Sequence, residues 1–174
     1  ISKGKDHKKY EFGNKSGFVI TKKSGIIIGA MAFEDNPYDG HTLQPQLEQV
    51  SDLMGRLPKL ALVDRGYKGR KTILGVEIMM PGTGKGKTAY EKIRDRARFR
   101  RRAAVEPVIG HLKSDYRMLR NYLKGVEGDM INTIMAAVAF NMMKRLRQIR
   151  NAIYFVLDLL PGNWSVKYAT VLVY

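Results

Sequence analysis

The sequence predicts an α/β fold in one domain, and three observations carry that prediction. Two runs rich in aromatic and β-branched residues, YEFGNKSGFVIT (residues 10–21) and IIIGAMAF (26–33), flank the turn-forming KKSG, which is the pattern of a hairpin. Two more short apolar runs, LALV at 60–63 and TILGVEIMM at 72–80, follow a stretch with helical spacing. Beyond residue 89 the apolar positions recur at three and four, the period of an α-helix. The order hairpin, helix, strand, strand, helices suits a single α/β domain, and 174 residues are enough to bury a core.

After the hairpin, EDNPYDG (34–40) reads as a loop, and Asp39 is placed to cap a helix over about 41–53. Leu43, Leu47 and Val50 give that helix an apolar stripe. In LPKLALVDRGYKG (57–69) the apolar run stops at Asp64, so an acidic residue stands at the tip of a buried strand. TILGVEIMM is read as one further strand and PGTGKGKT (81–88) as a flexible basic loop. Residues 90–122 are expected to be helical throughout. A strong helix over 127–150 follows, with Ile131, Ile134, Met135, Val138, Met142 and Leu146 as its apolar face. The pattern loosens after Arg150, so residues 1–150 are taken as the domain and 151–174 as an unassigned tail.

Charge narrows the function. A net charge of +15, from 31 basic and 16 acidic residues, attracts polyanions and gains from counterion release when phosphates are neutralised. Nucleic acid is the expected partner; a membrane is not, since the longest apolar run, near 152–160, is interrupted by Asp158 and too short to span. The absence of cysteine excludes disulfides and thiolate metal sites and suits a reducing cytoplasm. No signal-peptide pattern opens the chain. It begins with Ile1 rather than methionine, from which it is expected to be part of something longer.

Several familiar chemistries fail on spacing. Around PGTGKGKT a phosphate-binding loop would need glycine where Pro81 stands, and Gly82 is one residue too close, so no nucleotide is expected. His7, His41 and His111 form no zinc-spaced pair, and no nucleophile elbow is present. Two carboxylates remain. Asp64 at a strand tip is either a turn cap or a ligand for a hard cation held on a rigid element. Glu106 is either an i,i+4 partner of Arg102 or the carboxylate of a stripe in which Phe99, Arg102, Glu106 and Lys113 line one helical face. That stripe requires Pro107 to lie in a first helical turn or to kink the helix. A carboxylate flanked by cations is favoured in its ionised form, ready for a metal, while the cations hold phosphates. That is the division of labour in metal-dependent phosphodiester chemistry.

FRRRAAVEPVIGHLK (99–113) places Phe99, Arg102, Glu106 and Lys113 at the spacing Tyr-x2-Arg-x3-Glu-x6-Lys, with phenylalanine in place of tyrosine. This resembles the signature of DDE-type transposases of bacterial insertion sequences, in the insertion-sequence-five type. NPYDGHTL, VDRGYKG, AAVEPVIGHLKSDYRMLRNYLKG and GDMINTIMAAVAFN resemble further blocks of the same family, and the resemblance runs over about residues 3–147. The resemblance implies a ribonuclease H-like (retroviral-integrase-like) mixed sheet with flanking helices, in which three acids hold two Mg²⁺ or Mn²⁺ ions. Asp64 would be the second acid and Glu106 the third, with Arg102 and Lys113 supporting catalysis. Arg98, Phe99, Arg100, Arg101, Arg102, Lys113, Arg117 and Arg120 would meet double-stranded DNA, both element ends and target. The implied protein is a homo-oligomer on DNA in the bacterial cytoplasm, at the nucleoid. No suitable first aspartate precedes the hairpin, since Asp6 lies in a polar basic segment and Asp35 and Asp39 fall after it. The first strand and its acid are therefore expected to be missing, and the fragment alone to be inactive. A non-catalytic basic nucleic-acid-binding remnant stays open, and a ribosomal-type RNA binder rests on charge alone.

Overall fold

A computed structural model describes residues 13–67, 69–82 and 86–159, apart from the side chain of Arg101. The chain runs β1 (Lys15–Ile20), β2 (Ile27–Phe33), α1 (Asp39–Met54), β3 (Leu60–Leu62), β4 (Thr72–Ile73), β5 (Val76–Met79), α2 (Ala89–Arg102), α3 (Val105–Ser114) and α4 (Gly125–Leu159). The α/β class follows the sequence. β1 and β2 form an antiparallel hairpin; β3, β5 and β4 form a second sheet in that order, with β3 parallel and β4 antiparallel to β5. The first part of the expected first strand, Tyr10 to Phe12, lies outside the described residues.

The single strand expected at 72–80 is instead two, β4 and β5, joined by a two-residue turn at Leu74 and Gly75. Both turn residues have positive φ, 51° and 77°, the conformation a primed hairpin turn needs to match strand twist. Glycine takes it freely; Leu74, with its Cβ, does so under strain.

α1 carries the apolar stripe read from sequence. Leu43, Leu47 and Val50 are all buried, and Leu43 and Leu47 pack on Val63, Ile73, Val76 and Ile78 of the three-stranded sheet. The helix begins two residues earlier than expected, so Asp39 lies in its first turn and Tyr38 takes the cap position. On the hairpin side α1 offers amides. The Gln49 side chain donates to the Ala30 carbonyl at 3.0 Å and accepts from the Ala30 N–H at 2.8 Å. A β-carbon on Gly17 would come within 2.9 Å of the Gln46 amide, so glycine is what lets β1 approach the helix so closely.

The continuous helix expected at 90–122 is broken into α2 and α3, with a turn at Ala103 and Ala104 and a non-helical connection after Ser114. Pro107 explains the break: in an uninterrupted helix its ring would meet the carbonyl of Ala103, and it sits instead in the first turn of α3. α4 is longer than read from sequence, running past Arg150 to Leu159. Its orientation also differs. The buried positions are Gly128, Thr133, Ala136 and Ala137; Ala136 and Ala137 pack with Ile27, Ala30 and Leu112, while the expected apolar face points outward. Among the described residues no helix is long and apolar enough to cross a membrane.

The Leu74 conformation has a measurable consequence. Leu74→Asn, which tolerates positive φ, is expected to stabilise the protein by about 1 kcal/mol. A raised urea midpoint at unchanged m-value would show it, and a lowered midpoint would refute the assignment of the turn.

Candidate active site

Asp64 lies two residues past the end of β3, next to the buried Val63. The strand is short because apolar residues end there, and the chain turns outward through Arg65 and Gly66. One Asp64 oxygen accepts the Arg65 backbone N–H at 2.6 Å, and Tyr67 N–H bonds the Asp64 carbonyl at 3.1 Å. The turn lies against the first turn of α1: a β-carbon on Gly66 would fall 2.1 Å from Asp39 Oδ2. Asp39 is itself tied to β1 by Lys15 at 2.5 Å. Glycine at 66 leaves room for the Asp39 carboxylate in its present position, where the Asp64 loop and α1 adjoin.

The other Asp64 oxygen receives the Arg102 guanidinium at 2.9 Å. Arg102 is the last residue of α2, so this ion pair brings α2 to the strand tip. It also answers one sequence alternative, since Arg102 serves Asp64 across the fold instead of Glu106 along a helix. The carboxylate is 58% exposed, open to a ligand from solvent. Arg98, one turn earlier, lies against Met79 of β5 and faces Asp95 at 3.7 Å.

Glu106 is exposed in the first turn of α3, and Pro107 follows it there. Its helix is anchored by Leu112, which is 0% exposed and packed with Ile27, Ala136 and Ala137. Glu106 and the exposed Lys113 are seven residues apart and share a face of α3. The expected four-residue stripe is thus divided: Phe99 and Arg102 belong to α2, Glu106 and Lys113 to α3. Asp64 and Arg102 are in contact; no ion pair joins them to Glu106 or Lys113 among the described residues.

The remaining cations lie on the surface. Arg100 is exposed on α2, and the Arg101 side chain lies outside the described residues. Arg117 and Arg120 are exposed in the connection between α3 and α4, where Arg117 has φ 56° and Arg120 stacks 5.3 Å from the Tyr122 ring. His41 packs edge-on to Tyr38, and His111 pairs with Asp115 at 2.7 Å. These two histidines have separate partners, and His7 lies outside the described residues.

Sequence reading missed the device that starts α2. Thr88 and Glu91 form a capping box: Glu91 accepts the Thr88 N–H at 2.9 Å, and Thr88 Oγ1 accepts the Glu91 N–H at 3.3 Å. The Thr88 backbone N–H, and then the Thr88 hydroxyl donating at 3.0 Å, hold the Glu91 carboxyl below its usual range. Lys87 at 2.6 Å does the same for Asp95. Ser114 and then His111 do so for Asp115. The signal for the box, Thr-x-x-Glu before a helical run, was present in the sequence.

The donor set suits a hard divalent cation in kind, since carboxylate oxygens are what such ions take. Asp64 and Glu106 are both accessible, and each bonded Asp64 oxygen retains a lone pair. In number the set falls short: among the described residues no three acidic, His or Cys side chains are grouped to hold an ion.

Two substitutions separate surface charge from anchoring. Arg102→Met is expected to change unfolding free energy by less than about 1 kcal/mol, as an exposed ion pair contributes little. Leu112→Ala is expected to cost about 2–5 kcal/mol. Chemical denaturation of both variants tests this, and an equal loss would mean that the Arg102–Asp64 pair holds the fold.

Comparison with known proteins agrees with the geometry. No curated protein and no solved structure matches the chain. A family model described as the transposase DDE domain matches residues 1–142, and the mixed α/β architecture is consistent with the ribonuclease H-like fold of that family. With most of its length matched, the chain belongs to the DDE-domain transposases, the DNA-cutting and DNA-joining proteins of mobile elements.

Proposed function

We propose that the chain is the C-terminal portion of an insertion-sequence-five type transposase and that Asp64 and Glu106 are two of its three metal-binding acids. The observation that carries this reading is the Asp64–Arg102 contact at 2.9 Å. It joins the VDRGYKG block to the Arg-x3-Glu block across the fold, though 38 residues separate them in sequence. Two Mg²⁺ or Mn²⁺ ions in the complete site would activate the attacking water or 3′-hydroxyl and stabilise the leaving oxygen. The chain's own work is to position and to attract. β3 holds Asp64, α3 holds Glu106, and Arg102 keeps the Asp64 carboxylate oriented. Arg98, Arg100, Arg101, Lys113, Arg117 and Arg120 draw duplex DNA, element end or target, to these carboxylates, and Phe99 offers a ring for stacking.

The first acid enters, on this reading, on a strand outside the described residues. Sheet edges support it. β1 and β3 each have a side with no strand partner among the described residues. The far side of β2 is closed by side chains, with Gln49 on Ala30 and Asn141 on both the N–H and the carbonyl of Ile27, at 2.9 and 2.7 Å. A strand joining β1 to β3 would merge the two sheets and set an aspartate beside Asp64.

A second reading, a remnant that binds DNA without cutting it, is favoured by the lack of a three-ligand group among the described residues. Titration of the 174-residue chain with Mn²⁺ separates the two. Tight binding of two ions would mean that the chain carries a complete site, whereas weak binding fits a site that needs a further acid.

In the full-length protein, Asp64→Asn or Glu106→Gln is expected to reduce Mg²⁺-dependent nicking of element ends by more than about 100-fold, beyond the loss typical of an outer-sphere partner. Either variant retaining normal nicking would sink the assignment. Arg117→Ala with Arg120→Ala is expected to lower the slope of log affinity against log salt by about 0.9 per residue for duplex DNA. An unchanged slope would remove these arginines from the DNA surface.

A further inference from the structure

α2 carries seven basic residues and two acids, Glu91 and Asp95. Glu91 closes the capping box, whereas Asp95 stands mid-helix, where aspartate is a poor helix former. Asp95 is nonetheless the least exposed ion-paired acid among the described residues, at 14% against 34% for Asp39 and 58% for Asp64. Withdrawing a carboxylate from water is unfavourable unless its oxygens are satisfied, and here one of them is not. Oδ2 accepts from Lys87 at 2.6 Å, while Oδ1 is buried without a hydrogen-bond partner.

Arg98 stands beside that oxygen without bonding it. Its Nη1 lies 3.7 Å from Oδ1, beyond hydrogen-bond reach, and 4.0 Å from the Met79 sulfur, a weak acceptor. Lys87 and Arg98 thus approach Asp95 from either side, eight residues before it and three after. One carboxylate is shared by two cations, and both remain partly exposed. A carboxylate and a phosphate offer such cations the same chemistry, anionic oxygens that accept charge-assisted hydrogen bonds.

We propose that Asp95 stands in for a backbone phosphate in the free protein, holding Lys87 and Arg98 until DNA displaces it. This rests on the reading of α2 as a DNA surface and places a competitor inside that surface. Displacement breaks the Lys87 bond and leaves the carboxylate unpaired. A phosphate that meets one cation gains too little to offset this, whereas a backbone that engages further cations of α2 gains enough. Asp95 therefore acts against brief, partial contacts with polyanions.

Asp95→Asn keeps the shape of the side chain and removes its charge. In the 174-residue protein it is expected to tighten binding of a short labelled duplex of arbitrary sequence about fivefold at fixed salt, with unchanged far-ultraviolet dichroism. The gain is expected to vanish when Lys87→Met and Arg98→Met are also present. Lys87→Met alone, which leaves Asp95 in place, is expected to weaken binding less than about twofold, against about fivefold in the Asp95→Asn background. A gain that survives the loss of both cations would overturn the proposal, because Asp95 would then act only through its field at a distance. Unchanged or weaker binding by Asp95→Asn would overturn it too, as would a fivefold loss from Lys87→Met alone, since the acid would then at most position Lys87. These results leave the DNA reading standing. A wild-type chain that binds no duplex would overturn that reading together with the proposal.

Discussion

The structure depends first on α1 packing against both sheets at once. Its Leu43 and Leu47 fill the core of the three-stranded sheet, and its Gln46 and Gln49 meet the hairpin at Gly17 and Ala30. The two sheets share no strand among the described residues, so this helix fixes β3 relative to β1. The first turn of α1 completes the link. Asp39 reaches Lys15 on one side and lies against Gly66 on the other, which places the Asp64 loop where the hairpin also ends.

Against that apolar frame, positive charge is arranged so that it costs the fold little. The arginines of α2 are on the surface or paired, with Arg98 near Asp95 and Arg102 on Asp64. The solvent-open Arg102–Asp64 pair adds little stability, and its use is positional. Arg102 ties a helix whose own packing is sparse to the tip of β3. The capping box at Thr88 and Glu91 fixes the other end of that helix. α2 is thus held at both ends by polar contacts, while α3 is held through Leu112 in the core. The cation-rich element is the more weakly anchored of the two, as suits a surface that meets a polyanion.

Much of this was legible in the sequence. The hairpin, the buried stripe of α1 and the placement of Asp64 after a short apolar strand follow from local patterns that tertiary contacts did not override, although β3 itself is only half-buried. The split of residues 90–122 was legible in part. Pro107 was recognised as tolerable only in a first turn or at a kink, and the chain takes the first turn by breaking the helix at Ala103 and Ala104. The Arg102–Asp64 pair was not legible, because nothing in one-dimensional spacing shows that residues 38 positions apart will meet. Nor was the turn at Leu74, where leucine occupies a left-handed position that sequence rules reserve for glycine or asparagine.

The orientation of α4 shows why hydrophobicity alone misleads. Its large apolar residues form the obvious stripe, yet Ala136 and Ala137 face the core. Close approach decides this. β2 carries Ala30 and Ala32, both buried, and its Ile27 must come near enough for Asn141 to bond both of its backbone groups. Methionine or isoleucine at positions 136 and 137 would hold the helix too far away for those bonds. Small side chains therefore win the inner face, and the larger ones are displaced outward. There Met135, Met142 and Leu146 stand more than half exposed among the described residues.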